Sequence, residues 1–167
     1  MAVVTTKSGG ITNRDSSPKV KINSILTEGL LRENVGTVEV ANGDSTGSKY
    51  IMFQVPSNAR VSQLLVWADD IGTTTAGDVG LYQTTANGGA VVDADFFASA
   101  LSLNGGALTA SDITHESGVF NVDDAEKTLW SALGLTADPN LFYDVVLTLT
   151  GDADAAGTFT LKGKYSI

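Results

Sequence analysis

From Val35 to Ile167 the sequence breaks into short runs in which apolar and polar positions alternate, separated by clusters of Gly, Asn, Asp and Ser. VGTVEVA (35–41), YIMFQV (50–55) and ARVSQLLVWAD (59–69) are rich in β-branched and aromatic residues and read as strands. Between them, ANGDSTGSK is a turn cluster, and PSN puts a proline where a ladder donor is dispensable. Asp78 to Thr84 reads as a further strand, reversed by Asn87-Gly88-Gly89, whose residues tolerate positive φ. DADFFASALS (93–102) reads as a short helix with Asp93 or Asp95 as its cap, and DDAEKTLWSALG (123–134) as a better one, with Leu129, Trp130 and Leu133 on one face and Gly134 ending it. LFYDVVLTLT and GTFTLKGKYSI alternate around GDADAAG and predict a closing hairpin.

About eight short strands with one or two short helices in the connections predict an all-β fold, an antiparallel β-sandwich or jelly roll, with a closed barrel as the structural alternative. The first thirty or so residues carry neither a helical nor an alternating pattern. The expected division is an extended N-terminal arm over residues 1–34 and a single jelly-roll-like β domain over 35–167. An isolated segment of this composition lacks the apolar surface to offset the entropy of ordering its backbone.

At 167 residues the chain is long enough to bury a real core. With 43% hydrophobic and 17% charged residues, 18 Gly and only 3 Pro, it is expected to be compact and turn-rich, not disordered. The absence of cysteine excludes a disulfide framework, a thiolate metal site and a thiol nucleophile. No apolar stretch reaches membrane-spanning length and MAVVTTKSGG lacks a signal-peptide pattern, so a soluble chain with no membrane partner is expected. The net charge of −9 is uneven. Through Lys21 the basic residues Lys7, Arg14, Lys19 and Lys21 face Asp15 alone; from Val61 onward three lysines face fourteen acids. An acidic body repels nucleic acid, which leaves only the basic arm as a possible contact, and charge makes Lys7, Arg14, Lys19 and Lys21 the candidate partner-binding residues.

The remaining motifs point to no catalytic site, metal or cofactor. Gly43-Asp44-Ser45-Thr46-Gly47 matches the nucleophile-elbow pattern, but strand-like residues flank it on both sides and His115 is the sole histidine, so a hairpin turn is expected. Asp152-Ala153-Asp154 imitates the start of a calcium loop, yet Ala156 and Gly163 stand where ligands are needed. His115, with Asp112, Glu116 and Ser117 nearby, reads as a polar loop, and Asp78, Asp93 and Asp95 as turn and cap residues. TANGGA lacks the Lys-Ser/Thr pair of a phosphate cradle. Trp67 and Trp130 read as core residues. The expectation is a non-enzymatic protein.

VGTVEVANGDSTGSKYIMFQVPSNARVSQL, DVGLYQTTANGGAVVDADFFASA and THESGVFNVDDAEKTLWSALGLTADPNLFYDVVLTLT together resemble tailed-bacteriophage virion proteins, among them the cement (decoration) proteins of short-tailed phages. The resemblance implies a jelly-roll-like domain, made in the host cytoplasm, that binds the exterior of an icosahedral capsid as a homo-oligomer, dimer or trimer. It further implies that this domain stabilises the shell by bridging neighbouring major capsid protein subunits, with no cofactor or reaction. The alternative function is a carbohydrate-binding β-sandwich of a tail or surface fibre, using exposed aromatics such as Tyr82 or Trp67.

Overall fold

The computed structural model describes residues 4–27 and 29–167, with Ile25 described by its backbone alone. Residues 1–3 and 28 of the expected arm lie outside the described residues. The chain divides into two compact units, Met1–Leu30 and Leu31–Ile167.

The larger unit contains eight strands among the described residues: β1 (Leu31–Val40), β2 (Lys49–Pro56), β3 (Arg60–Ala68), β4 (Ala76–Gln83), β5 (Val91–Ser102), β6 (Leu108–Asp112), β7 (Phe142–Leu149) and β8 (Gly157–Ser166). They form two four-stranded sheets in the orders β1-β8-β3-β6 and β2-β7-β4-β5, with every paired strand antiparallel. Successive strands alternate between the sheets except β4–β5, so most connections cross from one layer to the other. This order is that of the eight-stranded jelly roll. Alternation places one face of each strand inside. In β8, Phe159, Leu161 and Tyr165 are buried while Thr158, Lys162 and Lys164 face outward. Val79, Leu81, Val145, Leu147 and Leu149 supply the opposite wall.

The β1 and β2 edges close one side of the sandwich through backbone contact. A Cβ at Gly36 would lie 2.3 Å from the Met52 carbonyl oxygen, so only glycine permits this approach. The Asn34 side-chain amide donates to the Gln54 carbonyl across the same seam (2.9 Å). At the opposite side Phe96, Phe97 and Phe120 form an aromatic knot, with centroid distances of 4.9–5.6 Å and two edge-to-face pairs.

Three expectations are corrected here. Residues 93–102 belong to strand β5, not to a helix. Between the pairs Val79↔Ala98 and Leu81↔Asp93 the strand bulges, which lets adjacent Phe96 and Phe97 both turn inward and mimics a helical face in the sequence. β7 and β8 lie in different sheets, so GDADAAG is an inter-sheet connection, as is ANGDSTGSK between β1 and β2; neither is a hairpin turn. The helix expected over 123–134 contracts to a 3₁₀ turn, Val122–Asp124, and α3 (Leu129–Ala132), numbered after the two helices of the smaller unit given below. The amides of Leu129 and Trp130 donate to the Ala59 and Ser57 carbonyls, so the β2–β3 turn holds the start of the helix. Gly134, at φ 73°, ends it as expected.

The smaller unit is not extended throughout. It carries α1 (Gly9–Asp15), whose N-cap Ser8 accepts from the Ile11 amide, and the four-residue α2 (Ser24–Thr27). β1 begins at Leu31, four residues ahead of the expected strand start. Among the described residues, no helix is long and apolar enough to cross a membrane.

Candidate functional site

The four candidate cations of the arm fall into two pairs. Asp15, at the end of α1, accepts from Arg14 (2.8 Å) and Lys7 (2.9 Å), and these two cations, Arg14 foremost, hold its carboxyl below the usual range. Lys19 and Lys21 form no ion pair among the described residues. Together with Arg14 they surround a hollow of about 340 Å³ floored by Val20 and Ile22. Val4, Val20, Leu26 and Leu30 of this unit are all exposed, and Val20 shares the hollow with the cations.

The loops joining the sheets carry carboxylates that work as latches. Asp152 accepts from the Thr46 amide and hydroxyl (2.6 and 2.9 Å), and Asp154 from the Thr73 amide and hydroxyl (2.7 and 2.6 Å). These bonds tie the β7–β8 connection to the β1–β2 and β3–β4 connections and lower both carboxyl pKa values. Asp44 similarly accepts from the Ala41 amide and the Tyr50 hydroxyl, and Asp69 from the Thr158 amide. The acids of the calcium-like sequence therefore join loops. Among the described residues, no cluster of three or more His, Cys, Asp or Glu side chains has metal-binding geometry.

Ser45 and His115 are not brought together by any hydrogen bond among the described residues. Ser45 lies in the β1–β2 connection, and its carbonyl accepts from the Ser48 amide. His115, beyond β6, stacks on Phe120 and places Nδ1 2.8 Å from the Phe120 carbonyl. Glu116 caps the Ser99 amide, and Asp112 accepts from the Thr114 hydroxyl and amide. Burial would raise the Asp112 carboxyl, but these bonds and one from Gln63 outweigh it and lower the pKa.

The carboxylates of the 78–100 stretch also separate. Asp78 accepts from the Ala100 amide (2.7 Å), where Ala100 adopts φ 51°. Asp93 and Asp95 cap no helix; they interact with each other, and burial followed by hydrogen bonding to Asp95 raises the Asp93 pKa. Tyr82 is 4% exposed, so it offers no open platform to a sugar. Trp67 and Trp130 are half-buried, not core residues, and Trp67 lines a hollow of about 240 Å³ with Thr109, Thr158 and Thr160.

The outer face of the β2-β7-β4-β5 sheet holds a residue that sequence reasoning missed. Asp144 stands in register between Gln54 and Tyr82 and lines a hollow of about 140 Å³ with Ile51, Val146 and Lys49. No hydrogen bond or ion pair reaches its carboxyl among the described residues, and burial raises its pKa. A sequence signal existed: Asp144 is the only charged residue in LFYDVVLTLT, at a position whose i±2 neighbours, Phe142 and Val146, are both apolar.

With this geometry in view, comparison with known proteins bears on the fold. No protein-family model and no curated protein sequence matches the chain. The chain is similar in structure to one in the Cyanophage Pam1 capsid asymmetric unit, with a TM-score of 0.50 and 15% identity over 83% of this chain and 86% of that one. A chain from the acidic stable capsid structure of Helicobacter pylori bacteriophage KHP30 aligns with a TM-score of 0.39, also at 15% identity, over 83% of this chain and 94% of that one. At this identity the likeness to the Pam1 chain is one of fold.

Proposed function

We propose that this chain is a structural protein of a phage virion that binds the outer surface of an icosahedral capsid as a homo-oligomer and stabilises it by bridging neighbouring major capsid subunits. The observation that carries this reading is the contrast between two units. One is a jelly roll whose buried side-chain polar atoms all have partners among the described residues. The other is a small basic unit that exposes Val4, Val20, Leu26 and Leu30 and in which Lys19 and Lys21, lining a hollow with Val20, form no ion pair among the described residues. The fold likeness to a chain of a phage capsid asymmetric unit supports it.

The physical mechanism is mass action. A protein that binds assembled shell and not free subunits shifts the assembly equilibrium by about 2.7 kcal/mol at a concentration one hundred times its dissociation constant, and repeated copies multiply the gain. The basic arm supplies docking to an acidic shell surface, and the β body supplies a rigid span. The test is to add the full chain, and a chain lacking residues 1–21, to expanded shells that lack it, and to image them. Attachment of the full chain on the exterior between capsid subunits, lost on truncation, is expected. Wild-type chain that leaves shells bare, or that occupies their interior, would overturn the proposal.

A further inference from the structure

The outer face of the β2-β7-β4-β5 sheet combines two unusual features. First, its large apolar side chains remain in solvent. Ile51 is 58% exposed, Val91 52% and Phe142 49%. Register places all three on one face: Ile51 pairs with Val146, Val91 pairs with Tyr82, and Phe142 lies two residues before Asp144 in β7.

Second, a half-buried carboxylate at the centre of this patch has no donor. The other half-buried acids of the body are engaged: Asp44 by Tyr50 and Ala41, Asp124 by Lys127 and Asn121, Asp78 by Ala100, and Asp93 and Asp95 by each other. The one cation sharing the hollow with Asp144, Lys49, stands over the Tyr82 ring at 4.9 Å and forms no ion pair with it. Partial burial beside Ile51, Val146 and the Tyr82 ring penalises the ionised carboxylate, and no protein donor among the described residues offsets that penalty. A cation brought by a partner removes that cost, and desolvation by the surrounding apolar ring strengthens the contact.

We infer that this sheet face is a second docking surface, which accepts a lysine or arginine side chain of the capsid protein with its charged head on Asp144 and its aliphatic stem against Ile51 and Val146. The occupant is cationic because the carboxylate is the group left unpaired, and it comes from a protein because an apolar rim of three exposed side chains fits a protein surface. This inference rests on the capsid-binding reading and adds an anchor separate from the arm.

Two measurements test it. In the first, wild-type, Asp144→Asn and Asp144→Lys chains are titrated onto shells lacking the chain. Because Asp144 faces outward and loses no hydrogen bond on substitution, Asp144→Asn is expected to melt at or above the wild-type temperature at neutral pH, and Asp144→Lys to keep a cooperative melt. Attachment should weaken roughly tenfold for Asp144→Asn and disappear for Asp144→Lys. Binding of Asp144→Lys within about twofold of wild type overturns the inference while leaving the capsid-binding reading intact. A change in oligomeric state of Asp144→Lys without shells also overturns it, since the occupant is then a second copy.

The second measurement needs no shell, so failure of wild type to bind shells counts against the function and not against this pocket. Titration of the full chain with butylguanidinium chloride, followed by NMR, should shift the amides of Tyr82, Asp144 and Val146 with saturation in the ~10 mM range, as befits one ion pair and a few apolar contacts. The shift should vanish in Asp144→Asn. Shifts that persist in that variant, or their absence in wild type, overturn the pocket.

Discussion

Single residues decide how closely the backbones of this jelly roll approach. Gly36 lets β1 lie against the Met52 backbone, where a Cβ would sit 2.3 Å from a carbonyl oxygen. Gly36→Ala should therefore destabilise the body by about 1–3 kcal/mol, because a backbone atom cannot rotate aside. Denaturant unfolding measures this. Ala100 presents the reverse case. It holds φ 51° in β5, a conformation that costs an L-residue about 1–2 kcal/mol, and the Asp78 carboxylate takes its amide. Ala100→Gly should raise stability by about 0.5–1 kcal/mol, less than the full strain because glycine gains entropy in the unfolded chain. A lower melting temperature for that variant would contradict the account.

At the level of elements, the carboxylates govern how stability responds to pH, and they do so in opposite directions. Asp152 and Asp154 accept hydrogen bonds from Thr46 and Thr73, and their folded-state pKa values lie below the ordinary ones. Their stabilising contribution is complete above about pH 4 and fades as pH falls through the folded values. The pair Asp152→Asn and Asp154→Asn should accordingly be less stable than wild type at neutral pH and less sensitive to acid, as thermal melts across pH will show. Asp93 has a raised pKa, from burial first and Asp95 second, so its contribution is present at low pH and is lost as pH rises through the folded value. Asp93→Asn should stabilise the protein at neutral pH and confer no advantage near pH 3, roughly below the carboxylate range. The same bulged strand explains why β5 read as a helix: alternation is visible only while register holds, and β5 shifts against β4 three times.

For the whole molecule, the charge division sets a basic N-terminal unit apart from an acidic body, and under the proposed capsid-binding role the first attaches while the second spans. Lys19 and Lys21 are exposed and unpaired by acids, so attachment to an acidic shell should weaken as salt rises and the screening length falls from about 10 Å at 0.1 M to about 3 Å at 1 M. Asp15→Asn should strengthen attachment at low salt, because it releases Lys7 and Arg14 from the carboxylate that now holds them. Co-sedimentation with shells at two salt concentrations checks both outcomes. The arm and the body form separate compact units, so removal of residues 1–30 should leave the cooperative melt of the body in place.

The alternation of Thr158, Thr160, Lys162 and Lys164 with Phe159, Leu161 and Tyr165 determined by itself that β8 is a strand with one wet and one buried face, and similar runs determined β2, β3 and β7. The charge division was equally plain in the chain. Only tertiary structure decided that β7 and β8 join different sheets, that consecutive Phe96 and Phe97 both point inward, that Asp15 claims two of four arm cations, and that Asp144 stands unpaired beside Ile51 and Val146. The physical reason is common to all four. Periodicity records which face of an element avoids water, whereas strand partners, bulges and ion pairs depend on groups distant in sequence whose meeting is set by the packing of the complete fold.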